Sequence, residues 1–249
     1  EDEEQIIRTT DEADAAIARL QAQLREDPEN VATLVKLGDT YLAKRDYKLA
    51  MSALNQAYKL DQRYDIRSRI GNLKIRMLQE AEQAAAEAAQ KNPENAELKQ
   101  KAEEARRERI NFAIKEYEDR FKDHPTELPL AHRLGMIYFE EGSPESIGRA
   151  IECFQKSVED PRLKAEARFM LGRCFGKDPK TRDMAIQQYE EALKLVTSPS
   201  SEIAKTIQYN LGELYEEAGD NSKALEWYKK VFAVDAAFKD VRQKVSSIS

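Results

Sequence analysis

The chain has 249 residues, of which 41% are hydrophobic and 35% charged, and its 40 Lys and Arg against 46 Asp and Glu give a formal net charge of −6. That balance argues against a nucleic-acid-binding surface, which needs concentrated Lys and Arg, and no stretch approaches the ~20 apolar residues required to span a bilayer, so no membrane contact is expected of this segment. So much charge beside so modest an apolar content suits an elongated helical array better than a sphere.

The opening EDEEQII reads as a solvated acidic lead-in. A first residue of Glu rather than Met suggests a processed or excised piece, with room for a signal peptide or anchor upstream. Thr10 and Asp11 are predicted to cap a helix running to about Arg25 and closed by the breaker EDPEN, so that 10–28 forms a lone amino-terminal helix. A helical pair follows over 31–61, turning at Lys44, Arg45 and Asp46.

Over 64–124 the punctuation changes. After Gly71 neither Gly nor Pro occurs up to Gln90; Asn92, Pro93, Glu94 and Asn95 then interrupt, and a second unbroken stretch runs from 96 to 122. Two readings stay open. One is an extended antiparallel hairpin of two helices, each roughly 26 residues and about 40 Å long, with Ile70, Leu73, Met77, Ala81, Ala84 and Ala88 facing Leu98, Ala102, Ala105 and Phe112. The other is a pair of ordinary helical units broken near Leu78 and Arg107. Further pairs are expected over 128–160, 163–196 and 202–235, turning at EEGSPES, GKDPKT and AGDN. A last helix over 237–248 would pack Val241 and Val245 inward as a cap and expose Lys and Arg.

A Leu-Gly or Ile-Gly pair recurs five times in similar company, as KLGDTYL, RIGNLKI, RLGMIYF, MLGRCFG and NLGELYE. The glycines are Gly38, Gly71, Gly135, Gly172 and Gly212, at steps of 33, 64, 37 and 40 residues, close to one or two units of a helix-turn-helix repeat of about 34. Behind four of them come Ala50 and Leu54, Ala150 and Phe154, Ala185 and Tyr189, and Ala224 and Tyr228, each pair four residues apart on one helix face. Small residues let two helices approach while the large neighbour fills the space beside them. This series of Leu-Gly, Tyr, Ala, aromatic and terminal Pro resembles the tetratricopeptide repeat family over nearly the whole chain. The resemblance implies an all-α, right-handed superhelical solenoid of antiparallel helix pairs, here with one extended helical hairpin, and the style of the repeats reads as bacterial.

Catalytic material is sparse. There is no glycine-rich phosphate loop, HExxH, GxSxG or paired CxxC motif, and the only histidines are His124, in a turn beside Pro125, and His132. No cofactor or metal is expected, and an enzyme would need a catalytic domain outside these residues. Cys153 and Cys174 fall on neighbouring helices; packed helices seldom offer the Cα separation of a disulfide, so buried free thiols are expected. Arg106, Arg107 and Arg109 alternate with Glu103, Glu104 and Glu108 and read as ion pairs on a solvated face.

The resemblance implies a concave groove lined by the second, fifth, ninth and twelfth positions of each unit, with the glycine as the eighth. Those are Ala32, Val35, Asp39 and Leu42; Asp65, Ser68, Asn72 and Ile75; Pro129, His132, Met136 and Phe139; Glu166, Phe169, Arg173 and Gly176; Thr206, Tyr209, Glu213 and Glu216. His132, Met136, Phe139, Phe169, Arg173 and Tyr209 are the candidate anchors for a protein or peptide partner, since aromatic and Arg side chains dominate such contacts. Some of them could instead pack between helices or lie under the carboxy-terminal helix. Asn72 matches one position of the family's clamp for chaperone carboxy-termini, but Val35, Asp39, His132 and Met136 depart from the rest, which speaks against that ligand. The expected function is a non-enzymatic interaction scaffold; the alternative is self-association through the hairpin or the uncovered amino-terminal edge.

Overall fold

The computed structural model describes residues 10–248, and among them it shows twelve α-helices, one short 3-10 turn and no strand. The side chains of Thr10 and Asp11, expected as the first cap, lie outside the described residues. The chain forms two compact units, one ending at Glu116 and one beginning at Tyr117.

In the first unit, α1 (Thr10–Glu26) precedes the pair α2 (Val31–Ala43) and α3 (Tyr47–Leu60), followed by α4 (Tyr64–Lys91) and the first part of α5 (Ala96–Asp123). Asn30 and Asp46 start α2 and α3 by accepting bonds from the Thr33 and Leu49 amides at 2.9 and 3.1 Å, which satisfies donors that have no partner within the helix. Leu37, Tyr41, Ala50, Leu54 and Leu73 form the core between α2, α3 and α4, with Ile17, Leu20 and Leu24 of α1 packed against it.

Helices α4 and α5 have 28 residues each and run unbroken through Leu78 and Arg107. The proposed seam between them needs correction. Ala81 and Ala84 are exposed, whereas Ala88, Leu98, Ala102, Ala105 and Phe112 are half-buried, and Leu73, Ile70 and Met77 pack into the α2 and α3 core. On that part of α4 the half-buried residues include Glu82, Ala85 and Ala88, and the Arg109 Nε of α5 donates to the Glu82 carboxylate. Arg109 is 6% exposed; far from decorating a solvated face, it is the buried half of an ion pair.

The second unit contains the end of α5 and the pairs α6 (Leu128–Glu141) with α7 (Pro144–Ser157), α8 (Lys164–Phe175) with α9 (Arg182–Leu195), and α10 (Glu202–Glu217) with α11 (Asn221–Val234), then α12 (Val241–Ile248). Gly142 ends α6 with φ of 83°, a left-handed conformation that suits glycine. Within the pairs the glycines act by close approach: a Cβ on Gly212 would stand 2.5 Å from Tyr228 Cε1, and one on Gly172 would stand 2.5 Å from Tyr189 Cδ1. Ala150, Phe154, Ala185, Tyr189, Ala224 and Tyr228 are all buried. Cys153 and Cys174 are buried free thiols, pushed up to about 11 and about 12 by burial.

The carboxy-terminal helix docks through Val241, which is wholly buried beside Tyr209, Tyr228 and Val231. Lys244 is not turned outward as expected: its Nζ donates to Glu216 at 2.8 Å. Arg242 is exposed.

Candidate functional site

Helix α6 brings His132, Met136 and Phe139 to one face by their spacing of four and three, and α8 does the same for Phe169 and Arg173. The structure divides these residues into two groups. Phe139, Phe169 and Arg173 come together: the Arg173 guanidinium lies 4.5 Å from the Phe139 ring centre and 5.7 Å from that of Phe169. Arg173 is exposed, both phenylalanines are half-buried, and Met136 is half-buried one turn before Phe139. The Phe169 ring also rests 6.0 Å from Tyr189.

Beside this cluster is an open cavity of about 280 Å³ lined by residues that include Phe139, Arg173, Lys177, Tyr189, Asn210 and Glu213. One edge is cationic, with Lys177 Nζ 4.8 Å from the Phe139 ring centre. The other is acidic, formed by Glu213 and Glu217, the latter 3.9 Å from an Arg182 nitrogen. Asn210 Nδ2 donates to Tyr189 Oη at 3.0 Å, so the floor is polar and fixed. Burial raises the Glu213 carboxyl, a rise opposed by Lys239 and Lys244, and pushes the Tyr189 phenol up to about 12.

His132 and Tyr209 do not join this face. His132 is 8% exposed, its ring packs edge-on against Phe154 at 5.4 Å, and its Nε2 lies 3.6 Å from Glu166. It is a packing residue between helices. Tyr209 is 3% exposed; its hydroxyl donates to Asp240, and its ring is flanked by Tyr228 at 5.5 Å, Phe238 at 5.9 Å and the Lys239 ammonium at 4.0 Å. The segment after α11 therefore covers the position where counting through the repeat places an open anchor. Lys177, Asn210 and Tyr189 were missed as lining residues. The spacing of four between Arg173 and Lys177 could have revealed the first; the other two belong to positions that read as core or unassigned.

Among the described residues no group of three or more His, Cys, Asp or Glu side chains is placed to hold a metal ion, and no helix is long and apolar enough to cross a membrane.

Tetratricopeptide repeat models match residues 31–64 and 182–237. No curated protein matches the chain significantly in sequence. Among solved structures, YrrB, a TPR protein with an unusual peptide-binding site, aligns over 90% of this chain and 96% of its own with TM-score 0.60 and 17% identity. The C-terminal part of a TPR repeat-containing protein from Cytophaga hutchinsonii aligns over 94% of each chain with TM-score 0.60 and 15% identity. MamA is 26% identical over 59% of this chain and 81% of its own, with TM-score 0.49.

Proposed function

This chain belongs to the tetratricopeptide repeat family, a class of protein-interaction scaffold, and we propose that it is non-enzymatic and binds a peptide segment of a protein partner on the face built from Phe139, Phe169 and Arg173. The observation that carries the reading is an exposed Arg173 held between two half-buried aromatic rings at the mouth of a 280 Å³ cavity. Aromatic and Arg side chains gathered in a partly enclosed, preformed site are what a binding hot spot requires. An apolar side chain of the peptide enters the cavity beside Phe139 and Leu214, and a neighbouring carboxylate meets Arg173 and Lys177, while Glu213 and Glu217 turn away acidic residues on the other side. YrrB is described as having a peptide-binding site; at 17% identity its likeness speaks for the fold alone.

The test uses peptides selected from a displayed random library against the wild-type chain. Phe139→Ala and Arg173→Glu are expected to weaken the selected peptides at least about tenfold with the helical circular dichroism unchanged. Peptides that bind both variants as tightly as wild type would overturn the assignment.

A further inference from the structure

The first unit carries an open depression of about 230 Å³ between α1, α2 and α3, lined by residues that include Leu24, Pro28, Leu37, Tyr41, Leu49 and Ala53. Leu49 is 45% exposed. The volume lies below the roughly 300 Å³ at which small-molecule sites begin and suits one or two protruding side chains. Around Pro28 the rim is acidic: Glu26, Asp27 and Glu29 are all exposed, with Arg25 beside them.

Helix α11 in the second unit presents a counterpart. Lys223, Trp227, Lys230 and Val234 follow one another at spacings of four, three and four and so share a helix face. Val234 is 45% exposed, both lysines are exposed and Trp227 is half-buried. Lys230 Nζ stands 3.5 Å from the Trp227 ring centre, and Lys223 pairs with Asp220 at 3.2 Å. Glu226, one turn before Lys230, is the acidic residue closest to this stripe on α11. Trp227 is the single Trp of the chain.

We propose that α11 of one molecule docks on the α1–α3 depression of a second copy, with Trp227 and Val234 entering it and Lys223 and Lys230 meeting Glu26, Asp27 and Glu29. One face is apolar with an acidic edge at Pro28, its α3 side carrying the exposed Lys48, and the other is an apolar stripe flanked by Lys223 and Lys230, so charge favours seating the lysines on the Pro28 edge. The two faces are different surfaces, so the contact is head-to-tail, and each added copy leaves one of each face free. The contact uses none of Phe139, Phe169 and Arg173 and does not depend on peptide binding there.

Sedimentation velocity of the full chain across the micromolar range tests it, with Trp227 emission recorded in parallel. The mean mass is expected to rise with concentration and the emission to move to shorter wavelength as the indole leaves water, both less so in high salt, which screens exposed charges. Leu49→Arg blocks the depression and Lys230→Glu with Val234→Asp blocks the stripe. All three positions are exposed, and circular dichroism checks that helicity is kept. Each variant alone should be monomeric, its dissociation constant raised at least about tenfold. Mixed in equal amounts they should form a dimer and nothing larger, since each supplies the face the other has lost. A wild-type chain that stays monomeric, assembly that survives either variant, or a mixture that remains monomeric would each overturn the proposal.

Discussion

The guanidinium of Arg173 serves two rings at once, standing 4.5 Å from the centre of Phe139 and 5.7 Å from that of Phe169 on the same helix as itself. At an exposed site such contacts contribute about 0.5–1 kcal/mol each to stability, less than a binding hot spot contributes to affinity. Arg173→Ala should therefore lower the free energy of unfolding by about 1–2 kcal/mol, while weakening a selected peptide by more than about 2 kcal/mol. Urea unfolding and peptide titration of the same preparation check this; a stability loss as large as the binding loss would make Arg173 a structural residue.

Gly212 faces Tyr228, and a Cβ there would stand 2.5 Å from the ring. Alanine would gain about 1 kcal/mol of helix propensity but force a fully buried ring to move, and overpacking costs about 1–3 kcal/mol. The clash wins, so Gly212→Ala is expected to destabilise. Adding Tyr228→Ala, which removes the obstructing side chain, should make the alanine at 212 neutral or favourable in a double-mutant cycle by chemical denaturation; Leu would not serve, because at the matching pair a Cβ on Gly38 would stand 2.7 Å from Leu54 Cγ.

Arg109 and Glu82 join α5 to α4 as an ion pair in which the Arg side chain is 8% exposed and the Glu side chain 22%. Breaking such a pair leaves a charge without its partner. Arg109→Ala should cost about 3 kcal/mol, whereas Arg109→Met with Glu82→Leu should cost far less or nothing. Thermal unfolding of the single and double variants separates the two outcomes; equal losses would show that packing rather than charge sets the cost.

Acid should loosen the carboxy-terminal segment. Glu216 is held below the usual carboxylate range by Lys244 and the Tyr228 hydroxyl, Asp235 by Lys205, and Asp240 by the Tyr209 hydroxyl. A folded-state pKa that is depressed gives stability fully present above the ordinary values, 4.5 for Glu and 3.8 for Asp, and lost as the pH falls through the lower folded ones. Glu213, raised by burial, acts in the opposite sense: its protonation on acidification relieves a cost and partly offsets the loss. Relative to the intrinsic exchange rate at each pH, amide protection is expected to fall in 236–248 below about pH 4 while the α6 and α7 pair keeps its protection; a segment equally protected at pH 7 and pH 3 would contradict this.

Sequence made the helix pairs legible because both halves of each interlock lie within one unit: a glycine on the first helix and Leu54, Phe154, Tyr189 or Tyr228 on the second must fit by size. The α4 seam was illegible for a definite reason. A search for apolar residues at helical spacing follows Leu73 and Met77, which serve the α2 and α3 core, and passes over Glu82, whose burial rests on a cation in another helix. At the candidate site, the α8 pair of Phe169 and Arg173 could be read from periodicity. Tyr209 could not, because counting through a repeat fixes where a side chain starts and not what later chain folds over it.

The cover over Tyr209 also gives the open face a direction. With Lys239 and Asp240 seated on that ring and Lys244 tied to Glu216, the first-helix positions are open at Phe139 and Phe169 and covered at Tyr209 on α10. On the proposed binding mode a peptide would abut that cover, so its register would be measured from that end, and a longer segment would have to leave the surface there or prise α12 away.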